Sequence, residues 1–162
     1  MILTTPYSPA LAGRDPVVAM RETVAAIDRL TASWTARDFA RRSAPGKWTA
    51  GQILLHLAQT EIALGSRARM ALSTPDYAAQ SFDQDAWMER EAPPSGRDAV
   101  EALVAMSGLN VALFSSLSVE DRQIAFSHPE YGQLTVDWLI HQMAGHQVHH
   151  LGQLRALALT ID

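Results

Sequence analysis

The chain predicts an all-α fold, a four-helix bundle. Apolar residues recur at three- and four-residue steps in four long stretches. Helix-start signals open the first two, and 162 residues suffice for a single domain spanning 1–162 that buries roughly 70% of its unfolded surface. The first helix is expected over 15–33. It opens at Asp15-Pro16, a capping residue followed by proline in the first turn, and Val17, Met20, Val24, Ile27 and Leu30 form its stripe. The second, over 49–72, starts with the capping-box pair Thr49 and Gln52 and presents Ile53, Leu54, Leu57 and Leu64. Between Ser73 and Pro94 the periodicity stops and three prolines appear. Antiparallel neighbours need only ~2–8 residues between them, so this length predicts a crossover with the second and third helices parallel. The third helix, over 95–117, uses Val100, Leu103, Val104, Val111 and Leu113. Residues 118–134 carry Ile124-Ala125-Phe126 and Pro129-Glu130-Tyr131-Gly132, an extended piece and a turn. The fourth helix follows over 135–158.

Composition removes several classes of function. Hydrophobic residues make up 48% and charged residues 19%, a globular balance rather than a disordered one. A net charge of −4 offers no basic stripe for nucleic acid; Arg37, Arg41 and Arg42 read as a solvated helix end. There is no cysteine, which excludes disulfides, thiolate nucleophiles and cysteine-based zinc sites. The N-terminal residues lack a secretory pattern, and no stretch approaches the ~18 apolar residues of a membrane span. No membrane partner is expected, and the expected compartment is the cytoplasm.

The chemistry concentrates in His146-Gln147-Val148-His149-His150, which holds three of the six histidines. Residues three or four apart share a helix face. At about 100° per residue, His150 lies about 40° to one side of His146, and His149 about 60° to the other. Spacing alone leaves His149 and His150 both open as partners of His146. Buried imidazoles require partners, because an unsatisfied buried polar group costs ~1–3 kcal/mol; a metal ion meets that requirement, and so would ordered water. Two imidazoles on one turn form half of a transition-metal site. His56, mid-helix beside the apolar face of the second helix, is the most economical third ligand. His141 points about 140° away from His146 and reads as a surface or interhelical histidine. His128, just before Pro129, reads as a turn residue, with a place at the rim of the site as the alternative.

Other mechanisms find no pattern. A zinc-protease helix needs Glu directly after the first His, where this chain has Gln147. Pro45-Gly46-Lys47 lacks the upstream glycine of a phosphate loop, and Asp83 and Asp85 lack the spaced ligands of a calcium loop.

Two segments resemble a known family. Pro45-Gly46-Lys47-Trp48-Thr49-Ala50-Gly51-Gln52-Ile53-Leu54-Leu55-His56-Leu57 is similar to the start of the second helix in DinB/YfiT-like proteins. Thr135-Val136-Asp137-Trp138, followed by His146 to Leu154, resembles that family's last helix with its H-x-x-x-H pair and nearby Gln. The resemblance implies an up-down-down-up bundle and the ligand set His56, His146 and His150. It also implies one divalent ion per chain, zinc or nickel, and a homodimer. Gln153, one turn beyond, is placed to hydrogen-bond a ligand's second ring nitrogen or water on the ion, and is assigned to the cofactor site. Characterised members include mycothiol-dependent maleylpyruvate isomerase and S-transferases using low-molecular-weight thiols; others are named metal-dependent hydrolases by analogy. The expected function is therefore a metal-dependent S-transferase or hydrolase with a small-molecule substrate and, in the transferase version, a thiol cosubstrate. The competing expectation is a non-catalytic metal-stabilised bundle or a stress-related binding module. A structural zinc site is usually closed by four protein ligands, for which Glu61, Glu130 or His149 would be needed.

Overall fold

The computed structural model describes residues 4–91 and 95–159. Four long helices dominate: α2 (Pro16–Thr31), α4 (Ala50–Ser73), α6 (Gly96–Ser116) and α8 (Val136–Ala158). Shorter pieces connect them: α1 (Ser8–Leu11), α3 (Ala36–Phe39), α5 (Gln84–Arg90) and α7 (Val119–Arg122), with strands β1 (Ala125–His128) and β2 (Gly132–Thr135). Each long helix begins where its local chemistry can satisfy the free amides of a first turn. Asp15, Thr49, Ser95 and Thr135 accept from the amides of Val18, Gln52, Asp98 and Trp138. Thr49 and Gln52 close a full capping box, as do Ser95 and Asp98.

The bundle core divides into two apolar clusters stacked along its axis. One joins Val17 and Met20 of α2, Leu64 and Ala68 of α4, Phe114 of α6, and Leu139 and Met143 of α8. The other joins Val24 and Ile27, Leu54 and Leu57, Val100 and Leu103, and Leu151 and Leu154. The same end of the bundle therefore holds the starts of α2 and α8 and the ends of α4 and α6. This is an up-down-down-up arrangement with α4 and α6 parallel neighbours. α2 and α4 each pack against both α6 and α8, which places α2 diagonally across from α4. α6 is the one described helix long and apolar enough to cross a membrane by length and composition, and it packs into the bundle through Val100, Leu103 and Phe114.

The long connection supplies the crossover, and α5 adds a short helix to what the sequence predicts as irregular chain; residues 92–94 lie outside the described residues. The extended piece of 118–134 is an antiparallel hairpin in which Phe126 faces Leu134 and His128 faces Gly132. Gly132 has φ of +71°, a left-handed conformation that a residue without Cβ adopts cheaply. The amides of Ala79 and Ser127 donate to the carbonyls of Ser127 and Tyr77, tying the crossover to the hairpin. That tie sets the turn beside the start of α8, where the ring of Tyr131 lies 5.4 Å from that of Trp138.

Candidate metal centre

Between the two apolar clusters lies a buried polar layer. His56 enters it from α4, and His146 and His150 from α8, all three almost fully buried. The Nε2 atom of His146 lies 3.0 Å from that of His56 and 2.9 Å from that of His150. The three imidazoles, one potential ligand atom from each, form a group that could hold a metal ion. Trp48 packs its ring 4.8 Å from His56, and Tyr7 meets His146 edge-on at 4.9 Å. Tyr7 comes this close because Gly145 has no Cβ, which would stand 2.6 Å from the Tyr7 carbonyl oxygen.

Protons alone cannot satisfy this cluster. One imidazole nitrogen offers either one N–H or one lone pair. The His146 Nε2 faces two other ring nitrogens and can make a good hydrogen bond with only one. Extra protons are disfavoured: burial, then the neighbouring His150, pushes His56 down to about 3. Burial also pushes His150 down to about 4, against the opposing pull of Gln153. His146 falls well below the ordinary histidine range through burial and the charges of His150, His56 and His149. Three neutral, converging nitrogen donors fit a divalent cation of borderline softness.

Gln153 is exposed at the edge of the layer, and its Oε1 lies 2.9 Å from His150 Nδ1. With the proton on Nδ1, His150 donates there and its Nε2 keeps a lone pair for the cluster. Gln153 Nε2 lies 3.2 Å from His149 Nε2, and His149 is exposed rather than part of the converging group. His141 sits away from the site, its Nδ1 2.9 Å from the Asp137 carbonyl. The Gln153→Leu protein should bind metal about 10–100-fold more weakly in chelator competition, since partners of this kind orient their ligands. Unchanged affinity would make Gln153 a bystander.

His128 is buried and lines the cavity over His56 and His146, which favours its alternative reading as a residue near the site over that of a plain turn residue. Glu61, considered as a fourth ligand, belongs to a separate network. Its carboxylate accepts from Gln147 Nε2 at 2.6 Å and Asn110 Nδ2 at 2.8 Å, and Arg69 donates to Asn110 Oδ1 at 2.7 Å. Burial raises Glu61 to about 7, against the lowering effect of those two amides. Its signal was legible: Leu54, Leu57, Glu61, Leu64 and Ala68 step by three and four, which puts an acid in a core stripe.

These values set the acid sensitivity of the metal-free protein. His56 and His150 titrate lower folded than the ordinary 6.5, so their contribution is present above 6.5 and lost as pH falls towards 4 and 3. Glu61 works oppositely: its contribution is present below the ordinary 4.5 and lost as pH rises through about 7. The depressed imidazoles outnumber the raised carboxyl. Chelator-treated protein should therefore lose on the order of 3 kcal/mol between pH 7.5 and pH 5 in urea denaturation. Equal stability at both values would contradict the burial argument.

A four-helix bundle with three converging histidines in its central layer defines a class of metal-site proteins, and sequence comparison gives the family. A model of the DinB superfamily matches residues 19–154, and the chain belongs to that superfamily. A relative from Oceanobacillus iheyensis named "Putative metal-dependent hydrolase" is 25% identical over 113 residues, covering 68% of this chain. The chain spans 64% of that relative's length. A Bacillus cereus (strain B4264) protein of the same name is 28% identical over 120 residues, covering 72% of this chain and 68% of its own. Among solved structures, Bacillus subtilis YfiT, described as "a probable metal-dependent hydrolase with an unusual four-helix bundle topology", superposes with a TM-score of 0.81. It is 20% identical, covering 89% of this chain and 84% of YfiT, and the likeness extends to the fold.

Proposed function

We propose that this protein is a metal-dependent enzyme acting on small molecules, with His56, His146 and His150 as the metal ligands. The observation that carries the reading is the convergence of three buried imidazole Nε2 atoms, with two of the three residues, His56 and His146, lining a cavity of about 240 Å³. Three protein ligands are the pattern of catalytic rather than closed structural sites. Glu61 is held by Asn110 and Gln147, and His149 is exposed, so neither closes the shell. Glu130 stands at the cavity rim, exposed, and accepts from Ser81. When bound, a zinc or nickel ion supplies positive charge that lowers the pKa of a coordinated thiol or water.

We favour a low-molecular-weight thiol as the activated nucleophile, because among the described residues the one carboxylate lining the cavity, that of Glu130, is exposed at its rim and accepts from Ser81. A thiol, at about 8.5, needs far less help to ionise than water does. The chain's own residues then orient: Tyr7 and Trp48 fix the ligand rings, and Leu64 and Leu139 exclude water from the wall. The hydrolase reading is supported by the names of the relatives. Adding glutathione to the cobalt-loaded protein should produce a thiolate-to-cobalt absorption band. An unchanged cobalt spectrum, with ester hydrolysis independent of thiol, would favour the hydrolase.

A further inference from the structure

The cavity lined by His56 and His146 also holds a cation, Arg67. His56, Thr60, Leu64 and Arg67 all line it, and their spacing places them on one face of α4. The cavity therefore runs along the helix from the triad to Arg67, whose Cα is about 16 Å from that of His56 at 1.5 Å per residue. On the facing helix, Leu139 and His146 line the same space. The wall between the two ends is apolar at Leu64 and Leu139.

Arg67 is half-buried, and among the described residues no carboxylate lies within ion-pair distance of it. One guanidinium nitrogen donates to the Gln80 carbonyl. A guanidinium carries five N–H donors, and most of these are left for a ligand. The charged groups near it are the rim residues His128 and Glu130 and the phenol of Tyr77. The Glu130 carboxylate accepts from Ser81, and its backbone amide donates to His128 Nδ1 at 3.2 Å. Glu130 is the carboxylate near Arg67, but it stands beyond ion-pair distance and accepts from Ser81, so a planar anion able to take two parallel N–H bonds would complete the pairing of this partly desolvated cation.

We propose that Arg67 is a specificity residue that holds the carboxylate of a small organic acid, with the acid's far end directed along the apolar wall to the triad. The placement of the reacting end rests on the metal-enzyme reading above; the carboxylate end does not. The volume restricts the ligand to a small molecule, near the lower limit for ligand sites.

The test separates the two ends by using metal-free protein. Saturation-transfer NMR with pentanoate and with pentanol compares probes of equal length that differ in charge. Pentanoate should bind about ten-fold or more tightly than pentanol, and Arg67→Gln should erase that preference while leaving the weak pentanol signal. Arg67→Lys should retain part of it, because the charge remains and the paired donors are lost. Equal binding of the two probes to the unaltered protein would overturn the proposal, as would full pentanoate preference in Arg67→Gln. Neither outcome depends on metal. Failure of the metal reading would show instead as unchanged metal content when the triad is altered.

Discussion

The His146→Ala protein is expected to lose its divalent metal, with affinity reduced more than about 100-fold, beyond the range seen for residues that only support a ligand. The effect is large because His146 supplies the central nitrogen, 3.0 Å and 2.9 Å from its two neighbours. Removing it leaves His56 and His150 on different helices with nothing between them. The fold itself should survive, since both apolar clusters are built without this side chain. Metal content after dialysis, measured by plasma emission alongside the circular dichroism spectrum, checks both halves of the statement. His141→Ala serves as the control and should bind metal like the unaltered protein, because its ring is turned to Asp137. Equal metal in the His146→Ala protein would remove the triad as the site.

A second substitution, far from any ring nitrogen, should cost the most stability. Gly65→Ala places a methyl group 2.6 Å from Asn110 Nδ2, the atom that donates to both the Glu61 carbonyl and the Glu61 carboxylate. Asn110 must move, and its two bonds to Glu61 and the Arg69 bond go with it. Overpacking of this kind costs ~1–3 kcal/mol, and a stranded buried polar group ~1–3 more. The gain of alanine over glycine in a helix, about 1 kcal/mol, offsets only part of that. The net expectation is a loss of about 2–4 kcal/mol in urea denaturation. Pairing Gly65→Ala with Asn110→Ala should recover part of it, because the clash disappears. A Gly65→Ala protein as stable as the parent would mean the α4–α6 contact is looser than its distances indicate.

Local chemistry made the helices legible, whereas partnership across helices stayed hidden. Asp15 and Thr49 cap turns within three residues of themselves, so their role can be read from the chain alone. The crossover followed from the length of 73–94, since no short turn could occupy so many residues. α5 did not, because none of its residues is buried and it has no apolar stripe to mark it. The hairpin was half visible: Gly132 announces a turn, but pairing Phe126 with Leu134 is a non-local choice. For the candidate site, the angular argument brought His146 and His150 to one face, while a resemblance was needed to separate His150 from His149. The structure separates them by burial. Glu61 stands out as an acid in a leucine stripe, but Asn110 and Gln147 each read alone as an ordinary polar residue; only their meeting with Glu61 across three helices gives them a role.

The polar layer between the apolar clusters also fixes how far each helix can slide. Leucines are interchangeable to a first approximation, so a purely oily bundle tolerates a shift of one turn, about 5.4 Å, at small cost. Here that slip of α8 would carry Gln147 away from Glu61 and His146 away from His56, stranding each against leucine. The layer works as a dowel through the stack, admitting one vertical alignment of three helices. An evolving sequence could therefore exchange the leucines above and below it freely while the alignment stayed locked.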